Sequence, residues 1–470
     1  MNDIEGPIVA KFGGTSVATK DTILTILEIV RHSLVRRPVL VVSALSGITD
    51  ALLALSRVQK KQVKRNIRSI SEIHQVLIND LFSDREIRSE VINYVNEQLR
   101  KVEEIAREVN STPANIDELV SFGEIISSYI ISRFLQANGI KSRQVVATEL
   151  IVTDDNFQQA EFLPRETEKR VNRVLKPLIS RGIVPIITGF IGSTRSGQTT
   201  TLGRGGSDYS ASIVGYCLEA KEVQIWTDVD GIYTSDPRVV PSAQLIPEIS
   251  YREASEMATF GAKVLHSRTI KPAIQKNIPV RILNTFNPNG SGTLITANIG
   301  TEGLKVVSFI RKTTLVNIYS VDMLLARGFL ARIFEIFANR NSSVDLVSVS
   351  EVSVSVTLDN VGQLNKAVKE LEEFCTVSIN SNLGIISLIG ERVATTQHLI
   401  RDVSVLFHEH NILIRMISLG ASDTNISLVL DADQIEKAVR LIHDQILIRS
   451  NNHSPQFEPQ ANFAQVLEVA

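Results

Sequence analysis

Cysteine is nearly absent: the 470 residues hold two, Cys217 and Cys375. They lie far apart and match no metal or redox spacing, so no disulfide framework is expected, and both read as buried structural residues in a reducing compartment. Of eight histidines the one close pair is His408 and His410. Without a cysteine or third histidine nearby, the pair reads as a polar helix end, and no protein-built transition-metal site is expected. The longest apolar runs, such as Gly182 to Gly192, are too short to cross a bilayer. The first residues lack the basic-then-apolar order of a signal peptide, so the cytoplasm is the default location. Neither sign of charge dominates, with a formal net charge of -2. No general attraction to nucleic acid or membrane follows, and any anion must be held by local design.

What is present is a globular composition, 43% hydrophobic and 21% charged, on a chain too long for one ordinary core. Two or three domains are expected. The stretch Val9-Ala10-Lys11-Phe12-Gly13-Gly14-Thr15-Ser16-Val17 reads as a buried strand that breaks into a phosphate-sized loop. Paired glycines let backbone N–H groups approach an anion, and the lysine adds a mobile positive charge. Taken alone, the loop fits equally a plain glycine turn beside a surface lysine. A helix through Ile23, Leu27 and Val30 follows, then the apolar run Val39 to Val42, which ends in Ser43-Ala44-Leu45-Ser46-Gly47-Ile48-Thr49.

From about Val58 to Val109 the pattern is helical and charged, and its basic cluster around Lys64 reads as a solvated face. Asn115 reads as the N-cap of the next helix, with Glu118 three positions on. Glu124 on that helix has no role that local sequence reveals. Ile183 to Gly192 reads as an apolar strand ending in glycines. Next, Gly203-Arg204-Gly205-Gly206-Ser207-Asp208 stands before a helix from Ala211 to Leu218. Three glycines around an arginine at a helix start make an oxyanion site, with Ser207 and Asp208 also suited to capping. The strand Val223 to Thr227 leads to Asp228, Tyr233 and Arg238, a flat ring and a cation that suit a nucleotide or a surface turn. Gly261-Ala262-Lys263-Val264 adds another glycine-and-lysine unit.

Several strand ends thus carry Gly, Ser or Thr loops, with Lys11, Arg204, Arg238 and Lys263 as cations and Asp208 and Asp228 among them. Converging on one site, such a set fits phosphoryl transfer, where catalysis is mostly positioning and charge neutralisation. No GxxxxGK[ST] is present, and the Gly203 loop lacks the third glycine of GxGxxG. Spacing alone leads as far as an ATP-dependent small-molecule kinase.

Four blocks carry a resemblance that runs in order through nearly the whole chain: Lys11 to Val17, Gly203 to Asp208, Trp226 to Tyr233 and Gly261 to His266. They resemble the signature blocks of the aspartokinases, most of all the monofunctional lysine-sensitive type. The resemblance implies an α/β amino-acid-kinase fold, a mainly parallel sheet sandwiched by helices. It implies Mg-ATP-dependent phosphorylation of the aspartate β-carboxylate to 4-phospho-L-aspartate, the first step of lysine, threonine and methionine biosynthesis. By motif position, Lys11, Phe12, Gly13 and Gly14 would hold the transferring phosphate, with Lys11 and Asp208 catalytic. Arg204 would clamp the aspartate α-carboxylate and Glu124 its ammonium group, while Ser43, Ala44, Thr49 and Ser207 complete the pocket. Thr227, Asp228, Tyr233, Arg238, Lys263 and Val264 would hold the nucleotide. Mg²⁺ would be bound through phosphates and water, with no protein-built metal site.

Residues 1–296 are expected to form this catalytic domain. Beyond a linker, an internal repeat is visible: Ile333, Ile336, Phe337, Asn341 and Asp359 recur as Val403, Leu406, Phe407, Asn411 and Asp431, and Lys366-Ala367-Val368 as Lys437-Ala438-Val439. Each copy reads as helix, strand, strand, helix, and such small modules are expected to pair at their sheet edges. Residues 304–450 resemble two tandem α+β, ferredoxin-like ACT modules, the amino-acid sensors of this family. The resemblance places an effector pocket, for lysine, at Met323, Phe329, Leu330, Val344, Asp345, Ser350 and Glu351, and implies a homodimer or dimer of dimers through this region. Ala326 and Val349 stand where the family pattern has hydroxyl residues. Residues 451–470 read as a polar, disordered tail.

Two other classes compete. A kinase of the same fold acting on glutamate, acetylglutamate or carbamate would share the glycine loops but lack the Glu124 and Arg204 contexts and the doubled module. A non-enzymatic amino-acid sensor would have lost Lys11 or Asp208. A fusion to homoserine dehydrogenase is not expected, since no dinucleotide domain follows the repeat.

Overall fold

The computed structural model describes residues 6–108, 112–261, 267–298, 300–324, 326–359, 361–396 and 398–448. The chain forms two compact units. The first runs to residue 300 except for the segments 233–244 and 260–262, which belong with the second. Lys263, Val264 and the tail 451–470 lie outside the described residues.

In the first unit, apolar β-branched runs make the strands β1 (Ile8–Phe12), β2 (Val39–Val42), β3 (Ser142–Val145), β4 (Val152–Thr153), β5 (Val184–Thr188), β6 (Ile191–Thr194), β7 (Thr199–Thr201), β8 (Glu222–Thr227), β9 (Glu248–Ser250), β10 (Val280–Asn284) and β11 (Thr293–Thr296). Eight of them form one sheet in the order β3-β5-β2-β1-β8-β10-β11-β9. Pairing is parallel from β3 through to β10 and antiparallel only between β10 and β11. Every residue of β1, β2 and β5 is buried, as expected for strands covered on both faces. Parallel pairing of β5, β2, β1 and β8 also sets their carboxyl ends along one edge, where ligands gather in open α/β sheets. The strands β4, β6 and β7 make a separate small sheet.

Helices α1 (Lys20–Ser33), α2 (Ile48–Leu55), α3 (Lys60–Leu81), α4 (Arg85–Glu108), α5 (Pro113–Ala137), α6 (Pro164–Ser180), α7 (Gly206–Leu218), α8 (Tyr251–Thr259) and α9 (Ser267–Gln275) complete this unit. Three boundaries differ from expectation. Thr112, not Asn115, caps α5: its hydroxyl accepts the Asn115 N–H, with Pro113 in the first turn. The helix therefore starts earlier, and Asp117 falls on its buried face. Helix α7 begins at Gly206 behind a left-handed Gly205 (φ 69°), so Ser207 and Asp208 sit inside its first turn rather than at the cap. The run from Ile183 to Gly192 is not one strand. It turns at Gly189 and Phe190 (φ 69°), where the Phe190 N–H donates to Ser210 Oγ, and Ile191 enters the small sheet instead.

The second unit contains strands β12 (Val306–Tyr319), β13 (Val344–Val349), β14 (Ser353–Leu358), β15 (Thr376–Ile389), β16 (Met416–Ser418) and β17 (Asn425–Asp431), with helices α10 (Phe329–Asn339), α11 (Leu364–Leu371), α12 (Leu399–Glu409) and α13 (Ile435–Ile442). The strands form a single sheet, β13-β14-β12-β15-β17-β16. The repeat appears as two halves of this sheet, joined edge to edge within the chain. Both long strands serve twice. Residues 314–319 of β12 pair with β14, residues 306–310 pair with residues 385–389 of β15, and those same β15 residues pair with β17. Strand β12 stays paired with β15 on both sides of irregularities between Ile310 and Leu315, its residues 315–319 facing residues 376–380. The repeated asparagines Asn341 and Asn411 both take left-handed conformations (φ 51° and 56°) just after a helix, a position asparagine tolerates better than most residues. Cys217 is buried as expected, whereas Cys375 is only half-buried. His410 closes α12, its Nδ1 2.9 Å from the Leu406 carbonyl.

Segment 233–244 is fastened within the second unit by polar contacts. Buried His443 sets its Nε2 2.9 Å from Thr234 Oγ1 and its Nδ1 3.4 Å from Ser242 Oγ. Ser235 donates to the Val307 carbonyl and Arg440 to that of Val239, each at 2.8 Å. Because His443→Ala leaves the buried Thr234 hydroxyl with the Gln244 N–H alone and no partner on the His443 side, it should cost about 1–3 kcal/mol in urea denaturation. Limited proteolysis within 233–244 should accelerate. Cleavage at the unmodified rate would mean that Ser235 and Arg440 suffice to hold the segment.

Candidate active site

Backbone pairing fixes the first loop. The Gly13 N–H donates to the Trp226 carbonyl at 3.2 Å, and the Phe12 carbonyl accepts the Ser43 N–H at 3.1 Å. The loop after β1 is therefore tied to β8 on one side and to the loop after β2 on the other. A Cβ on Gly14 would stand 3.0 Å from the Ala44 carbonyl oxygen and 3.3 Å from the Ser46 nitrogen, so only glycine lets these loops touch without displacement.

Around them lies a cavity of about 650 Å³, lined among others by Lys11, Gly14, Ser43, Ala44, Thr49, Glu124, Arg204, Ser207 and Asp208. That volume is within the range of small-molecule sites. Lys11 is 9% exposed, and its Nζ meets Asp208 Oδ1 at 2.6 Å. The cation from the end of β1 thus faces a carboxylate in the first turn of α7. Arg204 is exposed, with no ion pair among the described residues.

Glu124 proves to be the opposite of a surface residue. It is 3% exposed. Its Oε1 accepts the Ala44 N–H at 3.2 Å, while Oε2 is buried without a partner. Burial pushes its carboxyl up to about 8. Asp117, two turns earlier on α5, also lines the cavity. Burial raises its carboxyl above the usual range, opposed by donors from Gln158 and Thr201.

The remaining expected site residues are placed differently. Phe12 is wholly buried and stacks on Trp226, with centroids 5.9 Å apart; only its backbone belongs to the loop. Gly13 adjoins Lys11, whose Nζ would lie 3.4 Å from an added Cβ. Thr227 ends β8 and Asp228 follows it, their side chains joined at 3.2 Å, and neither is among the cavity's lining residues. Tyr233 and Arg238 fall in the segment belonging to the second unit, where Arg238 pairs with Asp236 at 2.7 Å.

The expected effector residues all lie in the second unit. Met323, Phe329 and Val344 pack against the core of its first half; Leu330, Ser350 and Glu351 are exposed. Asp345 is half-buried, and burial together with the neighbouring Asp359 raises its carboxyl. The sequence reading passed over Asp117, Arg57, Phe190 and Thr201, which also line the cavity. A correct start for α5 would have put Asp117 on the inner face with Glu124; the other three carry no local signal.

This arrangement is that of a kinase for small carboxylic substrates. The model of the amino acid kinase family matches residues 6–284, and an ACT-domain model matches residues 386–446. Lysine-sensitive aspartokinase 3 of Escherichia coli (strain K12) is 37% identical over 449 residues, covering 93% of this chain and 99% of that protein. Chloroplastic aspartokinase 2 of Arabidopsis thaliana is 35% identical, covering 93% and 83%. Among solved structures, E. coli aspartokinase III in complex with aspartate and ADP (R-state) superposes with a TM-score of 0.82 at 36% identity, covering 94% of this chain and 100% of that one. The same enzyme with lysine and aspartate (T-state) gives 0.80 at 35%, covering 93% and 98%. The chain belongs to the aspartokinases.

The Glu124 carboxyl generates a pH prediction. Unfolded, it titrates near 4.5; folded, near 8. Its stabilising contribution is therefore fully present below 4.5 and is lost as pH rises through 8. Glu124→Gln should gain melting temperature relative to the unmodified protein across this window, with a constant difference above it. A difference independent of pH would show that the carboxyl is not held protonated.

Proposed function

We propose that the chain is an aspartate kinase, transferring the ATP γ-phosphoryl group to the β-carboxylate of L-aspartate to give 4-phospho-L-aspartate. The observation that carries the substrate is Glu124. A dry carboxyl with one oxygen unpartnered, in a cavity that also carries an unpaired arginine, suits a zwitterionic α-amino acid. The ammonium goes to Glu124 and the α-carboxylate to Arg204, whose guanidinium can bind it bidentately. No general base is needed, because the acceptor is a carboxylate with a pKa near 3.9 and is already ionised at neutral pH. One of its oxygens attacks the γ-phosphorus as the bond to the β–γ bridging oxygen breaks, and ADP leaves.

Lys11 neutralises charge on the moving phosphoryl group, with the Gly14 N–H beside it and the first turn of α7 supplying helix-dipole potential, while the Gly13 N–H stays bound to the Trp226 carbonyl and only fixes the turn. Asp208 holds the Lys11 ammonium in place between turnovers. Thr227 and Asp228, at the end of β8, hold the nucleotide. Among the described residues no group of three His, Cys, Asp or Glu could hold a metal ion. A Mg²⁺ ion carried on ATP phosphates and water would supply charge neutralisation to the phosphoryl group in transfer.

For the second unit we propose amino-acid sensing, with lysine as effector at Asp345 and its neighbours. The solved relative with bound lysine supports this reading. Exposed Tyr319, Val349 and Ile379 support a homodimer formed through this region. Among the described residues, no helix is long and apolar enough to cross a membrane, in keeping with the cytoplasm.

Lys11→Ala and Asp208→Ala should each abolish ADP release, by at least about a hundredfold, with circular dichroism unchanged. Full activity in Asp208→Ala would overturn the mechanism. Lysine should inhibit and raise the melting temperature, and Asp345→Ala should relieve both effects. An undiminished lysine response in that variant would remove the pocket, and a hydroxamate assay titrated with each aspartate-family amino acid would reassign the effector.

A further inference from the structure

Asp117 performs no step in the mechanism above, yet it is 1% exposed and lines the same cavity. Its Oδ2 accepts the backbone N–H groups of Gln158 and Thr201, each at 2.8 Å, and its Oδ1 accepts the Thr201 hydroxyl, also at 2.8 Å. No ion pair balances this carboxylate among the described residues. A buried acid served only by neutral donors is a costly way to join two segments, so what matters is which segments it joins.

Both lead to Arg204. Thr201 ends β7, three residues before it. Gln158 takes a left-handed conformation (φ 70°), and its carbonyl oxygen would stand only 3.0 Å from a Cβ on Gly203, the residue next to Arg204. Asp117 therefore grips the chain on both sides of Gly203. It does so from α5, the helix that carries Glu124 seven residues, or about 10 Å, further on.

Resting on the reading of Glu124 and Arg204 given above, we infer that Asp117 is a positioning residue that sets the separation between the group receiving the substrate ammonium and the group receiving its α-carboxylate. It touches neither substrate nor nucleotide. Its loss lets the Arg204 loop drift relative to α5, which weakens recognition of the amino acid and leaves the phosphate-binding turns after β1 unaffected.

Steady-state kinetics on the full chain separates this role from general support of the fold. Arg268 on α9 donates to the carbonyls of Gln159 and Ala160 at 3.0 and 2.9 Å, so the loop keeps a second anchor and Asp117→Ala should fold. That variant should raise the aspartate KM by about tenfold or more, with the ATP KM within about twofold and kcat within about threefold. Asp117→Asn keeps one oxygen for the two N–H groups and offers its amide to the Thr201 hydroxyl, so it should restore the aspartate KM to within about threefold. A parallel rise in both KM values, a fall in kcat alone, no change in Asp117→Ala, or failure of Asn to rescue would overturn the inference. If Asp117→Ala does not fold, Thr201→Val decides: a rise confined to the aspartate KM supports the role, and no rise overturns it. Absence of aspartate-dependent ADP release in the unmodified protein would remove the reading of the site and this inference with it, whereas a failure seen only in the variants removes the inference alone.

Discussion

The 2.6 Å contact between Lys11 and Asp208 joins the end of the central strand to the start of a helix, and most of the first unit can be read as a means of holding those two positions. Lys11 stands where it does because β1 is paired on both flanks, to β2 and to β8. Asp208 stands where it does because a left-handed Gly205 starts α7 abruptly. Two opposite charges this close and this shielded each satisfy the other before substrate arrives, so neither carries the full cost of an unpaired charge. On the proposed function, an incoming phosphate would exchange partners with Lys11 in a site that is already ordered.

The amino-acid side of the cavity works by a different balance. Arg204 is exposed to solvent. Glu124 is dry, and its raised carboxyl leaves it largely uncharged near neutrality when no cation is near. The empty cavity thereby avoids burying an unpaired anion, and the charge develops when an ammonium comes to meet it. On the proposed function, a substrate lacking the amino group would leave Glu124 without the cation it is placed to meet.

How far the sequence disclosed this depended on whether a residue's neighbours in space were also its neighbours in the chain. Lys11, Gly13 and Gly14, and the loop from Gly203 to Asp208, announce themselves because strand, loop and helix start are contiguous. The repeat of Asn341 and Asn411 was legible too, being a backbone requirement met by one residue type. Glu124 had only the family resemblance to single it out and Asp117 had nothing, because their importance comes from the Ala44 N–H eighty residues earlier and from Thr201 eighty-four residues later. Periodicity could not show that segment 233–244 folds with the second unit either: the bonds that fasten it reach to Val307 and His443. Assigning Ile191 to the small sheet likewise required the turn at Gly189, which reads in sequence as the end of a single strand.

The shared strands of the second unit carry a consequence of their own. A strand alternates its faces at every residue, so inserting one amino acid into β12 would turn the following side chains from core to solvent in whichever half they serve. The irregular stretch between Ile310 and Leu315 is where that alternation is interrupted, and an interruption of this kind lets the two ends of a strand keep independent phase. Each sensor half can then drift in sequence without forcing its sibling out of step, while the continuous backbone keeps the pair from ever separating.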